Sequence, residues 1–203
     1  MNKKLTFYKI LFVILVVAII ITIILIIKKY GSQEEYEEKN KQVVEIFNQT
    51  EEKTDETGMS LIEFEGYSVI GIIKIPAIYL EYPILEKTTK ETMLVSISRY
   101  WGGDINSYGN LSLAGHNNKI TLTMFGKNKN LKDGDSVFLT NLNGETVEYI
   151  IYSTFVTDPD DITILQTTDS SVREVTLITC TNGSANRLIH KAREKNNFYK
   201  GED

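Results

Sequence analysis

One cysteine and two histidines are all that this chain of 203 residues holds of those types. A single thiol excludes a disulfide within the chain. Two imidazoles and one thiol cannot close a structural zinc site unless carboxylates supply the remaining ligands. No glycine-rich phosphate loop occurs among the 13 glycines, which argues against nucleotide chemistry. There is no internal repeat and no low-complexity tract. Nor is there a basic excess. The net charge is −5, and the chain beyond residue 60 is itself acidic, so it offers no electrostatic footprint for nucleic acid.

The charge is unevenly spread. Residues 1–29 carry five lysines and no acid, whereas residues 30–60 carry three lysines against eight glutamates and one aspartate. Ile10 to Ile27 is an apolar run interrupted only by Thr22. At about 1.5 Å per residue it is roughly 27 Å long, close to the hydrocarbon thickness of a bilayer. As a signal peptide its apolar region is overlong and no small-x-small cleavage site follows. As a buried core helix it lacks a polar face. Residues 1–29 therefore read as a membrane anchor, with one transmembrane helix over about residues 10–27. Lys3, Lys4 and Lys9 precede the run and Lys28 and Lys29 follow it, a slight lean in orientation. With the acidic stretch behind it, the expectation is N-terminus in the cytoplasm and the bulk of the chain outside. Residues 30–60 read as a charged stalk. Val43, Val44, Ile46 and Phe47 form a small apolar stripe in it at helical spacing, so this stretch is a stalk helix, a short helix lying on the domain, or a solvated spacer.

From Leu61 to the end the texture is mainly β. Strands are expected at Val69–Ile75, Ile78–Tyr82, Asn110–Ala114, Ser136–Leu139, Thr146–Phe155, Val172–Thr179 and Arg187–Ala192, with Asn143-Gly144 a hairpin signal. Thr88–Ile97 and Ile120–Phe125 read as helical turns between strands, and Ile162–Gln166 as one further turn. Seven or eight strands at this spacing predict one closed β-barrel with a few short helices.

Cys180 ends the best-marked strand. Val175, Leu177 and Thr179 alternate with Thr176, Ile178 and Cys180, as a period of two requires. Asn182, Gly183, Ser184 and Asn186 read as the loop after it. Arg187 opens the next apolar run, so thiol and guanidinium can sit side by side across the sheet. A lone cysteine is usually a small buried hydrophobe. In an oxidising compartment an exposed one is a liability, and its retention points to use. A thiol attacks as a thiolate and needs a nearby base or positive charge. His116 stands at a strand-to-loop boundary, suited to proton transfer, whereas His190 lies inside a strand run. Arg187 is the candidate cation for an anionic intermediate, with Arg193 its rival at the same strand parity.

The order of these pieces resembles a sortase. Gly-Ile-Ile-Lys-Ile-Pro and Ile-Tyr-Leu-Glu-Tyr-Pro-Ile-Leu are followed by Leu-Ala-Gly-His-Asn, then by Thr-Leu-Ile-Thr-Cys and a downstream arginine, behind an anchor. The similarity covers about residues 66–192. It implies an eight-stranded β-barrel and a cysteine transpeptidase of Gram-positive surfaces. Such an enzyme cuts a Leu-Pro-x-Thr-Gly-like sorting motif between Thr and Gly and passes the acyl group to an amine. The implied partners are surface proteins bearing a C-terminal sorting signal and an amine acceptor such as a cell-wall precursor. The implied roles are nucleophile for Cys180, general acid/base for His116, and substrate and oxyanion support for Arg187. Thr179 and Thr181 match positions at the oxyanion site, and Ala114 and Ile178 match positions flanking the substrate groove. No cofactor is implied. Some relatives bind calcium near the loop before the cysteine strand, where Asp158, Asp160 and Asp161 are the available carboxylates; three acids in a turn are also often simply solvated. Residues 30–66 lack the Asp-Pro-aromatic lid of pilin-polymerising members, and Thr157–Ser171 is too short for the long helix of another class. A housekeeping-like or class D-like type remains. The alternatives are a hydrolase, an anchored β-barrel binding module with an inert buried cysteine, and a stalked structural protein.

Overall fold

The computed structural model describes residues 3–198 apart from Thr168. The chain forms two compact units, Met1–Glu38 and Lys39–Asp203. The first is the leading part of helix α1, Lys3–Gln49. Within it Phe7–Ile27 has a mean hydropathy of 3.8 and no buried residue; by length and composition it can cross a membrane. The side chains of Lys3, Lys4, Lys28 and Lys29, on which the orientation partly rests, lie outside the described residues.

The second unit begins inside the stretch read as a stalk. Val43, Val44 and Phe47 are buried while Ile46 is exposed, so the apolar stripe is a packing face. Asn40 adds a specific tie, its Nδ2 donating to the Val95 carbonyl at 2.9 Å. Burying side chains of this size stabilises by about 1.5–3 kcal/mol each, enough to hold a short helical segment against the domain.

The strands are β1 (Glu63–Phe64), β2 (Tyr67–Ile75), β3 (Leu80–Leu85), β4 (Ile97–Trp101), β5 (Gly109–Ala114), β6 (Ser136–Asn141), β7 (Thr146–Thr157), β8 (Arg173–Thr181) and β9 (Asn186–Glu194). β2 to β9 form an eight-stranded barrel in the order β2-β3-β4-β5-β8-β9-β7-β6, closed by pairing of β6 with β2, and β1 adds a two-residue flap on β2. Closure leaves no long free edge. Alternation decides which side chains fill the interior. Leu111 and Leu113 of β5 and Val175 and Leu177 of β8 enter the main core. Ser112, Thr176 and Ile178 therefore sit on the outer face. That face is covered too: Ile178 packs with Ile164 and Ile189 in a second cluster outside the barrel.

Three local expectations shift. Ile78 does not open a strand. Pro76–Ile78 is a 3-10 turn, Tyr79 adopts φ 54°, and β3 starts at Leu80. Proline presets the turn and cannot donate to a ladder. The helix expected over Thr88–Ile97 shrinks to α2 (Thr92–Val95), and Ile97 instead begins β4, which the residue pattern had hidden. β4 pairs in parallel with β3 for only two rungs and then carries exposed Tyr100 and Trp101, so it shows no amphipathic alternation. The helical turn expected at Ile120–Phe125 lies later, at Phe125–Asn130, because Leu122 and Met124 adopt positive φ, 58° and 48°. The turn expected at Ile162–Gln166 is present as a 3-10 turn, Ile162–Leu165.

His190 sits opposite Leu177 on β8, on the core side, and is fully buried. Its Nδ1 lies 3.0 Å from Thr154 Oγ1, which donates to Asp133 Oδ1. Burial pushes the imidazole below its ordinary pKa; the Asn128 backbone and the charges of Asp133 and Asp135 oppose the shift without cancelling it. Below the ordinary histidine value of about 6.5, the unfolded chain binds a proton here that the folded chain resists. Stability is therefore complete above that pH and is lost as pH falls toward the depressed folded value. The expected result is a thermal midpoint that drops between about pH 7.5 and pH 5.5, and drops less in His190→Gln. Equal drops in the two proteins would refute this.

Candidate active site

β5 and β8 run parallel, with Ala114 beside Ile178. Beyond that rung both strands release their ends at the same edge of the barrel. Gly115 N donates to the Ile178 carbonyl at 3.1 Å, and Thr179 Oγ1 donates back to the Gly115 carbonyl at 2.8 Å. Asn117 Nδ2 donates to the Cys180 carbonyl at 2.7 Å, joining residues 63 positions apart. His116, between the two tied residues, is thereby held at the Cys180 end of the sheet. Gly115 has a steric reason: a Cβ there would stand 2.6 Å from the ring of Phe125, which is fully buried.

β9 brings the guanidinium from the other side. Cys180 and Arg187 are paired across the β8–β9 hairpin. The connection is tight, with Asn182, Gly183 and Ser184 at φ 50°, 67° and 76°. Left-handed non-glycine residues cost of order 1–3 kcal/mol each and concentrate at functional sites. Arg187 Nη1 donates to the Ser184 and Asn186 carbonyls, both at 3.2 Å, which fixes one arm of the fork.

Cys180 is half-buried and free. It opens onto a cleft of about 190 Å³ together with Ala114, Ile178, Thr179 and Arg187. The segment Pro159–Leu165 supplies one wall, and Thr88, Met93, Tyr100 and Gly115 also line the cleft. His116 is exposed and is not one of the residues lining that hollow. Thr181 pairs with Asn186 and is half-buried beside the cleft rather than in its lining. Thr179 lines the cleft, but its hydroxyl proton is committed to the Gly115 carbonyl.

The rival arginine is occupied elsewhere. Arg193 donates through Nη2 and Nε to Glu174 Oε1 at 2.9 and 3.3 Å and stacks on Tyr152. Asp161 is likewise engaged. It caps the Ile162–Leu165 turn and accepts from Thr157 and Thr163, which hold its carboxyl below the usual carboxylate range. Among the described residues no three His, Cys, Asp or Glu side chains gather to hold a metal ion. Asn117 and Asn110 received no role from sequence reasoning. The first was legible only as the residue after His116, and nothing local marked the second.

The family model for the sortase domain matches residues 73–195. The chain belongs to the sortase family. Sortase A of Bacillus anthracis is 33% identical over 112 residues, covering 55% of this chain and 52% of that protein. Sortase A of Listeria monocytogenes is 26% identical over 117 residues, covering 58% and 51%. The chain thus spans about half the length of the curated relatives it matches. A solved Sortase D5 transpeptidase from Clostridium perfringens superposes with a TM-score of 0.62 at 30% identity, covering 78% of this chain and 96% of that one. A lid mutant of Sortase A from Corynebacterium diphtheriae gives 0.58 at 26% identity, covering 63% and 70%. The sortase match runs from inside β2 to the end of β9, so it contains every strand that borders the cleft.

Proposed function

We propose that this sortase is a membrane-anchored cysteine transpeptidase. Residues 1–29 are its anchor, residues 30–60 a charged stalk whose later part packs on the domain through Val43, Val44 and Phe47, and residues 61–203 its catalytic domain, carried outside the cell with the N-terminus in the cytoplasm. Its substrates are surface proteins with a C-terminal Leu-Pro-x-Thr-Gly-like sorting motif, and its acceptor is an amine of a cell-wall precursor. The observation that carries this reading is the pairing of Cys180 with Arg187 in one cleft, at the strand end to which the His116 segment is tied. The likeness to a Clostridium perfringens Sortase D5 transpeptidase favours the class D-like type.

In this reaction the Cys180 thiolate attacks the Thr carbonyl of the motif. The carbon becomes tetrahedral, and its oxyanion is met by the Arg187 donors not bound to the loop and by the Thr181 N–H. The C–N bond to Gly breaks as His116, as imidazolium, protonates the departing amine. The product is a thioester on Cys180. The acceptor amine, deprotonated by the now neutral His116, attacks that thioester and releases the thiolate. No ATP is needed, because the thioester retains much of the acyl-transfer potential of the amide. Exposure of His116 suits this role, since it must reach an incoming amine from solvent. Ala114 and Ile178 provide an apolar floor for the motif, and Thr179 keeps that floor in register through its bond to Gly115.

The test is a small panel of sorting-motif peptides incubated with the protein, with and without an added amine, and read by mass spectrometry. The expected result is cleavage between Thr and Gly and a new amide when the amine is present. Intact peptides throughout would refute the enzyme; hydrolysis that no amine diverts would make it a hydrolase.

A further inference from the structure

The wall of the cleft formed by Ile164 and Leu165 is not held by strand pairing. It ends a single 3-10 turn, whose last carbonyls have no partner inside the turn. One side chain reaches both, and the Thr176 hydroxyl also lies 3.4 Å from the Ile164 carbonyl. Asn110 of β5 donates through Nδ2 to the Ile164 carbonyl at 3.2 Å and to the Leu165 carbonyl at 3.0 Å. Its Oδ1 accepts from Thr176 Oγ1 of β8 at 2.8 Å. Asn110 is buried, and it stands on the same outer face of β5 as Ala114, which floors the cleft further along the strand. One amide therefore ties floor strand, nucleophile strand and wall together.

Resting on the sortase reading above, we infer that Asn110 is a positioning residue that sets the distance between the Ile164–Leu165 wall and the Ala114–Ile178 floor, and so selects the apolar side chain of the motif. The chemistry requires this amide in particular. Two carbonyls converge on one point and take two hydrogens from a neutral donor, while the Thr176 hydroxyl finds its nearer acceptor, at 2.8 Å against 3.4 Å for the Ile164 carbonyl, in the oxygen of the same amide. Aspartate has the same shape and still accepts from Thr176, but it turns an oxygen toward carbonyls that need a donor. The far end of the segment is tied separately, by Thr167 to Glu174 Oε2 at 2.8 Å and by Lys191 to the Gln166 carbonyl at 3.2 Å. Release at Asn110 thus widens the cleft without freeing the whole connection. The Asn110 amide bonds to Ser112, Thr176 and the wall carbonyls rather than to Cys180 or Arg187, so the chemical step is spared.

The experiment compares wild type, Asn110→Asp and Thr176→Val on sorting peptides whose leading leucine is kept or changed to valine or alanine. For Asn110→Asp the expected result is a KM raised about tenfold, a kcat within about twofold, and reduced discrimination among the three peptides. Alkylation of Cys180 by iodoacetamide stays at the wild-type rate, which a general loss of structure would not allow. Thr176→Val, which removes only a hydroxyl, shows a smaller rise in KM of the same kind and keeps the proposal testable if Asn110→Asp does not fold. Unchanged KM and discrimination in the folded variants, or a loss confined to kcat, would overturn the inference. If wild type cleaves no peptide, the sortase reading of the cleft fails instead. Amide hydrogen exchange at residues 162–167, faster in Asn110→Asp if the clamp is real and unchanged if it is not, then decides the clamp without any activity.

Discussion

Cys180→Ala abolishes cleavage of sorting-motif peptides while the thermal midpoint stays near that of wild type. The two halves of this expectation have separate causes. Chemically, the variant lacks the atom proposed to form the thioester, and no second thiol exists in the chain to replace it. Removing the nucleophile of a comparable acyl-transfer machine costs on the order of 10⁶-fold in kcat. Structurally, Cys180 contributes its backbone rather than its sulfur. Its carbonyl accepts from Asn117, and it pairs with Arg187 across the hairpin, and neither contact involves the side chain. The sulfur is half-buried, so its loss leaves no closed cavity of the kind that makes core truncations expensive. Peptide cleavage followed by mass spectrometry, with a thermal melt on the same sample, measures both. Cleavage retained at the wild-type rate would eliminate Cys180 as the nucleophile.

Arg187→Ala lowers kcat/KM by about 10²–10³-fold, the loss typical of removing a preorganised oxyanion donor, about 2.7–4 kcal/mol. The proposed role draws on the hairpin geometry. One arm of the guanidinium is held by the Ser184 and Asn186 carbonyls, so the fork is aimed before substrate arrives. Arg187→Lys recovers only part of the activity, since an ammonium restores the charge without the planar fork. Arg193→Ala is the informative contrast. That arginine neutralises Glu174, whose side chain is only 5% exposed, and its removal leaves a buried carboxylate with the Thr167 and Tyr152 hydroxyls but without its paired cation. The result is a lower thermal midpoint, with catalysis per folded molecule largely kept. Kinetics normalised to folded protein, with melts of all three variants, separate the cases. A turnover loss in Arg193→Ala alongside normal Arg187→Ala would reverse the assignment.

The strand parity at Cys180 was legible because an alternating run carries its own register. Val175 and Leu177 point into the core, and Ile178 points out, as the pattern requires. The Cys180–Arg187 pairing was legible for a related reason: the loop between them is short, and short hairpins leave few registers. β4 was not legible, because a short strand with exposed aromatics at successive positions lacks the periodicity that marks strands. Nor could the sequence choose among its three readings of the apolar stripe before residue 61. Charge composition sets residues 30–60 apart from the β-rich remainder, but Val43, Val44 and Phe47 find their partners through packing that composition cannot report.

By itself the sequence determined an apolar helix at one end, a β-rich acidic remainder, one thiol at a strand end and a guanidinium able to face it. These are properties of local spacing and of side-chain chemistry. It took the folded chain to place β5 beside β8, Asn117 on the Cys180 carbonyl, and Asn110 against the cleft wall. Those contacts join residues more than fifty positions apart. A parallel pair is set by the closure of the whole barrel and not by any turn between its strands, so no local pattern encodes it.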